Sequence, residues 1–294
     1  MNLTKIAWHH IPNFAAVKVL LRPVEVFVST SIFTACCALG LCIATESGLP
    51  SADLPLLTDL HISVFGATLA IYNLPRLLPR PYGTPRARQP LRTAYFILFF
   101  AGLAMALPAA LNLNSQTTIT GIALAMLALA YYLPSLPLHQ KKRLRDFGLL
   151  KIFVLASVWT IATAVLPMLY VNVSVTQYAL DILIRFAFVF TLCILFDIRD
   201  VDTDRQRNIN TLPVRIGLPS AYRLVYFTVL IFLILSALQF TRDLNQGRLI
   251  AAATTSFATI TVAAYTRRHP GHSASFVAMT DGMMLLYALL VLLQ

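Results

Sequence analysis

Residues 196–217 read FDIRDVDTDRQRNINTLPVRIG, with aspartates at 197, 200, 202 and 204 closing a long apolar run. Asp197, Asp200 and Asp204 are spaced 0, +3 and +7. At about 100° per residue, those positions lie within roughly 60° of one another on a helix, so three carboxylates share a face. Asp202 falls off that face and is expected in solvent. Like charges this close repel unless a cation joins them. Oxygen-only ligands suit Mg²⁺, which keeps several waters and takes phosphate oxygens as further ligands. The spacing therefore allows a Mg²⁺–diphosphate site. The plain alternative is an acidic helix end paired with Arg199, Arg205 and Arg207.

The elements that must position these acids are membrane spans. Of 294 residues, 58% are hydrophobic and 12% charged, and the mean hydropathy is +0.73. Soluble domains rarely reach that balance. Apolar runs of roughly 18 residues recur along the whole chain, the mark of spanning helices. Nine are expected, at about 24–45, 57–78, 93–112, 118–137, 149–170, 178–198, 221–240, 249–266 and 275–293. The first 20 residues, with His9, His10, Pro12 and Asn13, do not read as a signal peptide. Together with Trp8 they fit a short interfacial segment.

The net charge is +11, and its distribution sets a topology. Lys5, Lys18 and Arg22 precede the first span. Alternate loops then hold Arg76, Arg80, Arg86, Arg88 and Arg92; Lys141, Lys142, Arg143, Arg145 and Lys151; Arg199, Arg205, Arg207, Arg215 and Arg223; and Arg267 and Arg268. The intervening loops hold Arg242 and Arg248 alone. The positive-inside rule places the N-terminus and the basic loops in the cytoplasm and the C-terminus outside. This is the pattern of an integral protein of the cell's inner membrane. Basic residues split among five segments form no nucleic-acid stripe. Cys36, Cys37, Cys42 and Cys193 fall inside spans, without a metal-ligand spacing, and read as packing residues. The whole chain, 1–294, is expected to be one transmembrane domain with its polar motif loops at about 73–92, 138–148 and 197–220.

The acidic stretch resembles the second aspartate-rich motif of the UbiA superfamily of intramembrane prenyltransferases, D-x-x-D-x-x-x-D followed by T-L-P-V-x-x-G. Here the matching residues are Asp197, Asp200, Asp204, then Thr211-Leu212-Pro213-Val214 and Gly217. Asn208 stands where the family often has glycine. Arg22-Pro23 is similar to the family's entry to its first span, and LRDFGLLKIFVLASVW, from Leu144 to Trp159, to the start of its fifth. The resemblance implies an all-α integral membrane protein of about nine helices bundled around a central cavity. It implies a prenyl diphosphate bound head-first at the cytoplasmic end, Mg²⁺ held by Asp197, Asp200 and Asp204, and alkylation of a lipophilic or aromatic acceptor. A terpene cyclase, or a non-catalytic relative that binds a lipid or a partner protein, are the other readings.

The family's first aspartate-rich motif is degenerate. Where N-D-x-x-D-x-x-x-D is expected the chain reads YNLPRLLPRPYG, and no acidic residue lies between Asp59 and Asp146. Asn73, Arg76 and Arg80 nevertheless repeat the 0, +3, +7 spacing. The arginines bind diphosphate directly, since guanidinium matches phosphate bidentately; or they neutralise the aspartates; or they are topology charges alone. Between spans four and five, the resemblance points to a tyrosine and a basic residue on the diphosphate, here Tyr131 or Tyr132 with Lys142 or Arg143. The expected substrate contacts are thus Asn73, Arg76, Arg80, Tyr132, Lys142, Arg143 and Arg22. Among intramembrane polar residues, Asp181 and Arg185 are expected to pair at i, i+4. Asp281 either faces the cavity or serves structure, and Asp59 and His61 are expected at the interface.

Overall fold

A computed structural model of the protein describes residues 25–50, 55, 57–78, 91–132, 148–206, 208–269 and 274–293. Its helices are α1 (Ile32–Glu46), α2 (Asp59–Leu77), α3 (Arg92–Leu111), α4 (Ser115–Tyr132), α5 (Gly148–Tyr170), α6 (Ala179–Arg199), α7 (Val201–Gln206), α8 (Leu212–Ile216), α9 (Leu218–Asp243), α10 (Gln246–Arg268) and α11 (Ala274–Leu292). All regular structure among the described residues is helical. Among the described residues, six helices are long and apolar enough to cross a bilayer: α3, α5, α6, α9, α10 and Ser275–Leu292 of α11. They match six of the nine expected spans. α1 is apolar but has only 15 residues, and the other two expected spans correspond to α2 and α4.

Apolar residues cover both the inside and the outside of this bundle. Phe96, Leu107, Ile119, Met126, Phe227 and Phe257 are exposed. In water such a surface would aggregate; in a bilayer the acyl chains are its solvent. α6 lies deepest, with Leu192, Ile194 and Leu195 essentially inaccessible. Phe188 on α6 meets Phe232 of α9 and Tyr287 of α11 at centroid distances of 5.1 and 5.4 Å.

Close helix packing here relies on small residues. A Cβ on Gly66 of α2 would lie 2.6 Å from the Gly102 carbonyl oxygen and 2.9 Å from the Ala106 nitrogen. With no hydrophobic drive between spans, this backbone proximity is what holds α2 to α3. Gly102→Val is therefore expected to destabilise the protein by about 1–3 kcal/mol through overpacking. Thermal unfolding in detergent checks this; an unchanged midpoint would contradict the Gly66–Gly102 crossing.

Side-chain caps and a π turn set the relative positions of α1, α2 and α5. Thr58 Oγ1 accepts from the His61 amide, and His61 Nδ1 accepts from the Thr58 amide, closing a capping box at the start of α2. His61 Nε2 lies 2.9 Å from Glu46 Oε2 at the end of α1. His61 is thus buried between α1 and α2, its ring meeting a cap on one side and a carboxylate on the other. In α5, the π turn Ile161–Val165 leaves main-chain carbonyls for neighbours. Thr45 Oγ1 donates to the Thr163 carbonyl at 2.6 Å and Cys42 Sγ to that of Ala162 at 3.4 Å.

Asp181 and Arg185, expected to pair, take different partners. Asp181 accepts from Gln239 Nε2 at 2.6 Å and lies 3.6 Å from Arg248, while Arg185 donates to Thr45 Oγ1 at 3.1 Å and stacks over Tyr287. Partners on neighbouring helices outcompete the residue one turn away.

Candidate functional site

The acidic stretch ends α6 and forms α7, with Asp200 as the cap between them. After α7 the chain turns through Asn208 at φ +55°, a left-handed conformation that asparagine tolerates and glycine suits. Thr211 then leads into α8 with proline in its first turn, and Gly217 at φ +79° joins α8 to α9. This returning loop packs on the start of α5: a Cβ on Gly148 would run into the Asn210 carbonyl. Glycine at 148 lets α5 approach, and Lys151 follows one turn on.

Lys151 is what joins the carboxylates. Its Nζ lies 2.7 Å from Asp197 Oδ1 and 3.3 Å from Asp204 Oδ2, with side-chain exposures of 15%, 3% and 7% for the three residues. Asp200 turns instead to Arg199, with Nε–Oδ1 at 2.7 Å and Nη2–Oδ2 at 3.0 Å. Arg199 also lies over the rings of Phe196 and Phe276, which fixes its fork. Asp202 is exposed beside Arg205. The shared face of 197, 200 and 204 thus resolves into a buried Asp197–Lys151–Asp204 bridge and a separate Asp200–Arg199 pair.

These groups open onto a cavity of about 270 Å³. Lys151, Asp197, Arg199, Asp200 and Arg76 line it, with Tyr72, Tyr131, Tyr132, Trp159, Thr34, Asp281 and aliphatic side chains making up much of the rest. Trp159 Nε1 donates to the Tyr72 hydroxyl at 2.7 Å, and Tyr132 stands edge-on to Tyr72. α2 runs on through Pro75 to Leu77, which carries Arg76 into the lining. The Arg76 guanidinium lies 4.8 Å over the Tyr95 ring, and its Nη1 has no hydrogen-bond partner. Among the described residues no acidic side chain is within ion-pair distance of it.

Asn73 is placed differently from the expectation. Fully buried, its amide donates to the carbonyls of Thr30 and Leu69, tying residues 25–31 to α2. It is not part of the cavity lining; a side chain three residues before Arg76 is turned toward residues 25–31, which precede α1. Asp204 also lies outside the lining. Arg80, Lys142, Arg143 and Arg22 fall outside the described residues.

A metal ion has partial provision here. Among the described residues no three acidic, histidine or cysteine side chains converge on one point. Asp197 Oδ2, however, is buried without a hydrogen-bond partner beside a second lining carboxylate, Asp200. That donor set fits one hard, oxygen-seeking cation. The opposite helix end supplies guanidinium where a second cation would need acids.

Lys151 and the Tyr72–Trp159 pair were not singled out by spacing. The signal for Lys151 is a cation set in the apolar run GLLKIFVLASVW, an expensive placement that calls for an acidic partner. Nothing in the sequence marks Tyr72 and Trp159 as neighbours.

A family model described as "UbiA prenyltransferase family" matches residues 80–289. No curated protein matches the chain by sequence. Among solved structures, a UbiA homologue from Aeropyrum pernix K1 is similar with a TM-score of 0.61 at 17% identity, covering 90% of this chain and 96% of that one. A UbiA homologue from Archaeoglobus fulgidus bound to GPP and Mg²⁺ is similar with a TM-score of 0.56 at 15% identity, covering 92% and 100%. A digeranylgeranylglyceryl phosphate synthase structure has a TM-score of 0.54 at 15% identity, covering 95% and 97%.

Proposed function

Because the chain belongs to the UbiA prenyltransferase family, we propose that this integral membrane protein binds an isoprenoid diphosphate in the 270 Å³ cavity and transfers its prenyl group to a lipophilic or aromatic acceptor. The observation that carries this reading is the convergence of Lys151, Arg76 and Arg199 with Asp197 and Asp200 on a cavity otherwise walled largely by aromatic and aliphatic side chains. The GPP and Mg²⁺ bound to the similar Archaeoglobus fulgidus protein support the ligand class. The distribution of lysine and arginine supports a cytoplasmic orientation for the motif end in an inner membrane.

Lys151 and Arg76 neutralise the diphosphate in this reading, and the guanidinium planes of Arg76 and Arg199 are held by rings that keep them aimed. Mg²⁺ held by Asp197 and Asp200 would supply Lewis-acid stabilisation of the leaving diphosphate. Asp204 positions Lys151. Tyr72 and Trp159, locked to each other by a hydrogen bond, place aromatic rings in the cavity wall to stabilise the positive charge left on the allylic carbon. The aliphatic part of the wall suits the prenyl chain.

The test incubates purified protein with GPP or DMAPP, with and without Mg²⁺, and measures diphosphate release. Asp197→Asn is expected to lower release by roughly 10²–10³-fold, the scale of losing one pre-aligned electrostatic group. Release that is unchanged in both Asp197→Asn and Asp200→Asn sinks the proposed site. Release that needs no added acceptor supports cyclisation over transfer.

A further inference from the structure

Asp281 has no place in the diphosphate site, yet it is a buried carboxylate in the same cavity. It is 5% exposed, on α11, and lines the cavity together with Thr34 of α1. Thr34 Oγ1 donates to its Oδ2 at 2.8 Å, and Cys37 Sγ donates to its main-chain carbonyl at 3.3 Å. These two contacts from α1 fix both the carboxylate and its backbone. Among the described residues no cation lies within ion-pair distance of it. The aspartates of the acidic stretch each have one: Asp197 and Asp204 share Lys151, Asp200 has Arg199, and Asp202 has Arg205.

An acid within a membrane bundle is costly unless neutralised by a partner or used. A purely structural polar group at this place needs only to accept the Thr34 hydroxyl, which a neutral amide does equally well. The carboxylate supplies in addition a proton acceptor inside a cavity that holds a prenyl diphosphate under the reading above, on which this inference rests. The diphosphate takes the electron pair of its own leaving bond, so it needs no base at Asp281. The acceptor does need one. A carboxylate at that position also repels an anionic acceptor and welcomes a neutral O–H.

We infer that Asp281 is the proton acceptor for the second substrate, and that this substrate is a neutral, hydroxyl-bearing lipophile. In the transfer, the allylic C–O bond breaks and its pair leaves on diphosphate. A lone pair of the acceptor oxygen forms the new bond to the allylic carbon. The acceptor O–H bond breaks and its proton passes to Asp281, to be released to solvent before the next turnover. Thr34 is a positioning residue that holds the carboxylate rotamer.

Two probe acceptors of similar size test this with wild-type protein, Asp281→Asn and Asp281→Glu: a neutral alkylphenol and the corresponding alkylbenzoic acid, each with GPP. Wild type is expected to prenylate the phenol at its oxygen and to leave the acid unmodified. Asp281→Asn is expected to lose at least 100-fold in kcat for the phenol, on the scale of general-base catalysis, with GPP binding unchanged. Asp281→Glu is expected to recover part of that loss, which a packing role would not predict. Asparagine protein that transfers as fast as wild type overturns the inference, as does wild type that prefers the acid or uses neither probe while binding GPP. Wild type that fails to bind GPP at all overturns the diphosphate reading itself, and this inference falls with it.

Discussion

Lys151→Met is expected to abolish prenyl-diphosphate binding and to destabilise the protein by about 3–5 kcal/mol, the cost of stripping one partner from a buried ion pair. Lys151 Nζ bridges Asp197 and Asp204, and none of the three side chains is more than 15% exposed. Methionine keeps the length of the stem and removes the charge. Two buried carboxylates, Asp197 and Asp204, are then left near one another without the cation they share. They relieve the repulsion by taking up a proton or by moving apart, and moving apart pulls the loop at Asn210 from Gly148. Lys151→Met/Asp204→Asn separates stability from ligand binding: removing the excess acid is expected to restore much of the stability without restoring binding. Thermal unfolding in detergent and GPP binding are the two measurements. Single-mutant protein as stable as wild type would show that the ammonium does not hold the acids together.

The helices were legible because a bilayer imposes length. The runs expected at 149–170 and 178–198 appear as Gly148–Tyr170 and Ala179–Arg199, the first with a proline and a π turn within it. Side-chain pairing was less legible, for a geometric reason. The 0, +3, +7 rule assumes one continuous helix, and α6 caps at Asp200 before α7 begins. Asp200 therefore turns to its own neighbour Arg199, while Asp197 and Asp204 reach a lysine about 50 residues earlier in sequence. Spacing says which residues share a face and nothing about which helix that face meets. The same limit applies to Asn73. Its spacing with Arg76 suggests a common face, but its amide is consumed by main-chain carbonyls of Thr30 and Leu69. Asp281 could be placed near the motif end from sequence, but only the packing of α11 against α1 shows that Thr34 holds it at the cavity.

Arg76→Ala is expected to weaken GPP binding by about 10–100-fold, and wild-type protein is expected to take up one Mg²⁺ per bound diphosphate. Both expectations follow from the charges around the cavity. Of the three acids lining the cavity, Asp281 is held by Thr34 and Asp197 and Asp200 stand at the motif end, and the end of α2 brings Arg76 with one Nη lacking an acceptor. A guanidinium over a tyrosine ring has its plane fixed before ligand arrives, so little side-chain entropy is lost on binding. A hydrogen bond from such a charged group to phosphate contributes about 1.5–3 kcal/mol, which sets the expected loss of affinity. Arg76→Lys keeps the charge but gives up the fork and the stacking, so it is expected to recover only part of the affinity. Binding of GPP measured across a Mg²⁺ titration distinguishes one ion from two by its slope. A slope of two, or an Arg76→Ala protein that binds as tightly as wild type, would mean that the arginine does not stand in for the missing acids. A slope of one with the expected loss would mean that this chain keeps half of a metal clamp and completes it with a fixed organic cation.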